Sequence, residues 1–199
     1  MFTNSSTDFF VRTHTIAFSL RNIAVAIIVM FGSLSGLCYG AESPVWPMQD
    51  QVADITQERI PTAEEIATVV SAHFHIRWHD ALEIGRAVLN AARRFTLPPL
   101  LLLSVIAVES SFDRFAESVV GAKGLMQVLP SQHRDCVLRT SDLTDARTNV
   151  RIGSAILQGY IRASGGNLED ALYRYSGGAK GYARRVADHL NTMKTEFGL

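Results

Sequence analysis

An all-α fold, built from six to eight helices, follows from three features of this 199-residue chain. Apolar residues recur at helical spacing through residues 62–199, and no segment shows the sustained alternation of a strand. Helix-opening patterns, Thr62 with Glu65 and Asp80 with Glu83, stand directly before two of these runs. Pro98 and Pro99, suited to a first helical turn, lead into Leu100 to Val108, where Ser104 alone is polar. A helix that is apolar all round is a buried helix. The length, with 47% hydrophobic and 19% charged residues, suits one ordinary domain with a sizeable core. A formal net charge of zero and the lack of any Lys/Arg run exclude the electrostatic footprint of a nucleic-acid or anionic-membrane binder.

Residues 1–40 differ in kind from the rest. Arg12 and Arg21 precede an uncharged run from Asn22 to Ala41, and the small residues Gly36, Cys38, Gly40 and Ala41 surround its end. This is the pattern of an export signal peptide, although a run of about 20 apolar residues also serves as an uncleaved membrane anchor. Residues 41–61 carry Pro44, Pro47 and Pro61 and no clean period, as in a linker or docked arm. The globular domain is expected over 62–199. Its first helix places Ile66, Val69, Val70 and His73 on one face; its second, opening at Asp80, turns Ile84, Val88, Ala91 and Phe95 inward, with Trp78 at a packing junction between the two. His73, His75 and His79 invite a metal reading, the last two being four apart. No glutamate base stands between them and no third ligand follows at a useful spacing, so no metal is expected. Cys38 and Cys136 are too few for a disulfide framework and wrongly spaced for zinc.

Leu97 to Leu129 organises the remainder. Glu109 directly follows the apolar helix, near its C-terminal end, where low-dielectric surroundings and the negative end of the helix dipole both oppose ionisation of a carboxylate. A raised pKa is expected, as a general acid near neutral pH requires. Phe112 to Lys123, closed by Gly121 and Gly124, reads as a surface loop, a common place for binding residues. Asp145 then caps a helix with Val150, Leu157 and Ile161 inward, Gly153 permitting close approach of a neighbour. Asn167 caps a shorter helix through Tyr175, and the last, from Gly181, turns Val186, Leu190, Met193 and Phe197 inward.

Glu109-Ser110-Ser111-Phe112, then Ser118, then Gly121-Ala122-Lys123-Gly124-Leu125-Met126-Gln127-Val128-Leu129-Pro130 resembles, without a gap, the catalytic signature of the soluble lytic transglycosylase family. Asn149-Val150-x-x-Gly153 and Tyr175 resemble two further motifs of that family. The resemblance covers roughly residues 80–190. It implies a lysozyme-like helical domain that cleaves peptidoglycan glycan strands, with Glu109 catalytic. It implies substrate contacts from Ser110, from Ser118 on the N-acetyl group, from Gln127 lining the groove with Met126 beneath, from Asn149 as groove residue or cap, and from Tyr175 near the acid. Departures are Ser131-Gln132-His133 for the usual Thr-Ala, Ser176 for an asparagine, and Gly178 with no proline after it.

Most glycosidases flank the scissile bond with two carboxylates, and the signature supplies one. Asp113 and Glu117 lie nearby in an irregular polar loop where a solvated charge is the default. Glu109 is then expected to act twice, leaving 1,6-anhydromuramic ends with neither cofactor nor metal. The sequence points to an exported monomer in the periplasm or cell envelope, free or membrane-associated, with envelope or secretion machinery as a partner class. A hydrolytic muramidase, a non-catalytic wall-binding or secretion-associated scaffold, and a membrane-inserted interaction protein are the alternatives.

Overall fold

The structure, a computed structural model, describes residues 59–133, 137 and 142–199. The expected export signal, the linker up to residue 58, and both cysteines lie outside the described residues. Among the described residues there are six helices: α1 (Ala63–Phe74), α2 (Trp78–Phe95), α3 (Pro99–Ser110), α4 (Ala146–Ala163), α5 (Leu168–Tyr175) and α6 (Tyr182–Phe197). None is long and apolar enough to cross a membrane.

Local chemistry explains most of the boundaries. At the start of α1 the Thr62 hydroxyl accepts the Glu65 N–H at 3.2 Å while the Glu65 carboxylate accepts the Thr62 N–H at 2.7 Å, a reciprocal cap that satisfies two otherwise orphaned donors. Asp145 and Asn167 cap α4 and α5 through Thr148 and Asp170 N–H groups at 2.8 and 3.0 Å. The second expected cap is not made. Helix α2 begins at Trp78, before Asp80, with Arg77 as its uncapped N-terminal neighbour; Asp80 pairs with Arg77 at 2.8 Å and Glu83 with Arg114 at 3.2 Å. His75 is the left-handed residue that ends α1, so His75 and His79 do not share a helix and their spacing of four has no geometric meaning. Trp78 is half exposed rather than at a packing junction, and His73 faces solvent, paired with Glu196 at 3.0 Å.

Helix α3 is the centre. Leu100 to Ala107 are all buried. Its Leu101, Leu102, Leu103 and Ile106 are at most 1% exposed, each contributing about 2 kcal/mol by removal from water. Ser104 is tolerated there because its hydroxyl donates to the Leu100 carbonyl at 2.7 Å. Helix α6 packs against α3; α2 touches α3 and packs against both α1 and α4, with α5 against α4 and α6. Val186, Leu190, Met193 and Phe197 of α6 all point into this core.

Gly153 is where α4 meets the loop after α3. A Cβ there would stand 2.6 Å from the Met126 Cβ and 2.7 Å from its sulfur, closer than such atoms approach. Alanine is favoured over glycine inside a helix by about 1 kcal/mol, but overpacking typically costs about 1–3 kcal/mol. Gly153→Ala is therefore expected to lower the thermal unfolding midpoint; an unchanged or higher midpoint would show that Met126 yields freely.

Candidate active site

Glu109 is the penultimate residue of α3, partly buried. The chain leaves that helix through two successive left-handed residues, Ser111 (φ 51°) and Phe112 (φ 65°). For non-glycine residues this costs about 1–2 kcal/mol each. Burial of Phe112, 1% exposed with its ring 4.6 Å from that of Phe74, offsets the strain and anchors the turn.

The loop that follows is short and heavily bonded. The Lys123 and Val128 backbones exchange hydrogen bonds at 3.0 Å, and the Gly124 N–H donates to Ala116 at 2.8 Å. Four side chains then hold its carbonyls. The Ser110 hydroxyl donates to Leu125 at 2.8 Å, tying the loop to the residue beside Glu109. The Gln127 amide donates to Ala116 and Gly124 at 3.2 and 3.1 Å. Tyr175 donates to Met126 at 2.9 Å. Asn149 donates to Lys123 and Leu143 at 2.8 and 2.9 Å and accepts the Met126 N–H at 2.8 Å. Asn149 is 0% exposed, which corrects its reading as a groove residue: its amide is spent entirely on backbone. Ser110, Gln127 and Tyr175 are partly buried and hold the loop from its own side. Ser118 accepts the Ala122 N–H at 3.0 Å and gives its proton to none of the described residues.

The closest partner of Glu109 comes from α6. Tyr182, 3% exposed, donates its hydroxyl to Glu109 Oε1 at 2.6 Å. Because Oε1 accepts, the acid proton belongs on Oε2. Burial pushes the carboxyl up from its ordinary 4.5 to about 7; the Tyr182 hydrogen bond and the Arg185 charge pull it down without cancelling that effect. Burial, then the Glu109 charge, hold the Tyr182 phenol far above its ordinary range, and the Tyr175 phenol likewise. Both therefore act as donors. Their ring centroids lie 6.5 Å apart, with Tyr160 edge-on to Tyr175 at 6.4 Å, giving one side of the site an aromatic wall. Arg185 places its guanidinium carbon 5.6 Å from the Tyr182 ring centre.

The sequence model of the Transglycosylase SLT domain family matches residues 86–196, more than half of the chain. The chain belongs to that family. Among curated relatives, the Transglycosylase of Enterobacteria phage PRD1 is 29% identical over 122 residues, 57% of this chain and 45% of the phage protein. The Membrane-bound lytic murein transglycosylase C of Actinobacillus pleuropneumoniae serotype 5b (strain L20) is 37% identical over 62 residues, 31% of this chain and 16% of that protein. The matched stretch thus spans under half the length of these relatives.

Within this SLT domain the other nearby carboxylates are occupied locally. Asp113 accepts the Phe115 N–H at 2.8 Å, and Glu117 pairs with Lys123 at 3.3 Å. His79, Asp80 and Glu83 bring possible metal-ligand atoms within 4.8 Å of one another, but Arg77 and Arg114 already neutralise the two acids. Ser176, where the family usually has asparagine, closes its turn by donating to Tyr173 at 2.8 Å and accepting the Ala179 N–H at 3.1 Å. Sequence reasoning missed Tyr182 and Arg185. The available signal was a second tyrosine seven residues after Tyr175, at the start of an amphipathic helix.

The raised Glu109 value makes a stability prediction. The folded state keeps the proton up to about pH 7, whereas the unfolded chain releases it near 4.5, so this contribution is full below 4.5 and is lost as pH rises through 7. Glu109→Gln removes the ionisation. Chemical denaturation is expected to show the variant gaining on the wild type by on the order of 2 kcal/mol between pH 4 and pH 8, after allowance for solvent at a partly buried group. An equal stability difference at both pH values would place the titration elsewhere.

Proposed function

We propose that this protein is a lytic transglycosylase that cleaves the β-1,4 bond between N-acetylmuramic acid and N-acetylglucosamine in peptidoglycan. The observation that carries this reading is a single carboxyl, raised to about 7, whose electrostatic partners are a tyrosine and an arginine instead of a second carboxylate. Protonated Glu109 gives its Oε2 proton to the glycosidic oxygen. The sugar's N-acetyl group stabilises the cation at C1, and the uncommitted Ser118 hydroxyl orients that group. The resulting Glu109 carboxylate, held by Tyr182, then takes the proton of the muramic C6 hydroxyl as its oxygen closes on C1. An oriented intramolecular nucleophile competes with water at effective molarities on the order of 10⁵ M or above, so a second carboxylate to activate water is not needed. Glu109 is reprotonated at the end and no cofactor enters.

The family and the word "murein" in the name of a relative support peptidoglycan as the substrate class. The apolar N-terminal run supports export to the periplasm or cell envelope, where envelope machinery is the fitting partner class. N-terminal sequencing of protein from the envelope tests this; cytoplasmic recovery of the intact chain would overturn it.

Glu109→Gln is expected to lower peptidoglycan-cleaving activity by about 10²–10⁴-fold or more, since one group serves both proton transfers, while Asp113→Asn leaves it near wild type. Mass analysis of fragments released from purified peptidoglycan is expected to show ends lighter by one water than hydrolysed ends and resistant to borohydride. Reducible ends as the main product would make this a hydrolase and return attention to Asp113 and Glu117.

A further inference from the structure

We propose that Arg185 is a positioning residue for the acid: its guanidinium, seated over the Tyr182 ring, holds the tyrosine hydroxyl on Glu109 and supplies the positive charge against which the carboxylate forms. The inference rests on the reading of Glu109 as an acid that must also become a base. Several other arginines of the domain are committed to carboxylates: Arg59 to Glu65, Arg77 to Asp80, Arg114 to Glu83 and Arg174 to Asp170. Arg185 has no such partner among the described residues. It is exposed, three residues along α6 from Tyr182 and so on the same helical face, with its charge over the ring whose hydroxyl touches Glu109 at 2.6 Å.

The indirect arrangement has a chemical reason. An arginine in direct contact with a carboxylate makes a strong, charge-assisted pair and keeps the acid ionised, which would leave Glu109 no proton to give. A dry carboxyl with no positive charge near it has the opposite defect, holding its proton too tightly to be a useful base. A cation acting across a tyrosine lies between these limits. It also polarises the phenol, strengthening the donor that the new carboxylate needs at the moment the proton leaves. The other groups that face this cluster are aromatic: Tyr182 from α6 and Tyr175 from α5, both phenols held well above their ordinary range, with Tyr160 from α4 edge-on to Tyr175. Arg185 is thus the charge that sets the balance.

The test is a carboxyl ¹³C NMR titration of Glu109 in the substrate-free protein, beside the pH dependence of kcat/KM on a soluble peptidoglycan fragment. Arg185→Gln is expected to move the Glu109 titration, and with it the alkaline limb of the profile, upward by roughly half a pH unit to one. KM should change little. Arg185→Lys, which keeps the charge, is expected to restore most of the wild-type position, and Arg184→Gln, next along the helix, to leave it unmoved. Thermal melts confirm folding of each variant. A rise in KM with titration and limb both unmoved would make Arg185 a direct substrate contact and overturn the proposal; no change in either would make it a spectator. Because the titration needs no substrate, it reads the effect of Arg185 even if the released ends prove to be hydrolysed.

Discussion

The structure turns on keeping one carboxyl dry yet at the edge of the core, the two demands that the proposed acid role makes of it. Glu109 meets both demands by standing where an apolar helix emerges from the core. Behind it Leu100 to Ala107 are buried, and ahead of it the chain is already loop. Desolvation dominates its electrostatics, since the hydrogen bond from Tyr182 and the charge of Arg185 oppose the shift and do not overcome it.

A second constraint follows from the first. A rim loop beside a dry acid exposes backbone carbonyls that must find partners. Ser110, Gln127, Asn149 and Tyr175 meet that need from four directions. In this chain these four motif residues thus form the scaffold of a loop, whereas the Ser118 hydroxyl accepts the Ala122 N–H and donates to none of the described residues. Gly124 (φ 72°) shows how tight the scaffold is, since a side chain there would run into the Asn149 amide and the Leu143 carbonyl. Buried polar groups satisfied this completely make the loop rigid, and rigidity is what the proposed orientation of a sugar ring would demand.

What was legible in the sequence is what local physics writes there. The apolar run after Pro98-Pro99 gave the central helix, its end gave Glu109 and its raised pKa, and the caps at Thr62, Asp145 and Asn167 were readable because the capping partner lies three residues away. Tyr182 could not be tied to Glu109 from the sequence, being 73 residues away and marked only as a second tyrosine at the start of an amphipathic helix. Asp80 and Glu83 satisfied the spacing of a cap, yet both were claimed by arginines, one of them 31 residues distant. His75 and His79, four apart, share no helix, because His75 is left-handed and residues 75–77 lie between α1 and α2. Asn149, open between groove residue and cap in the sequence, spends its amide on loop backbone, because helical period says which face is inward and not whether a polar residue there meets backbone or ligand.

Helix α3, being apolar all round, lacks the polar stripe by which an ordinary amphipathic helix fixes its own rotation about its axis. Burial of apolar surface alone would not choose among its angular settings, and each residue of slip swings Glu109 by about 100°. The aim of the acid is therefore held from outside the helix, by Phe112 wedged against Phe74, by Ser110 bonded to Leu125 and by the Tyr182 hydroxyl. Fold and catalysis are in this respect written in different residues. Exchanges among Leu, Ile and Val along α3 trouble the aim of the carboxyl before they trouble the fold, so a library of such exchanges would yield soluble, cooperatively folded and poorly active proteins.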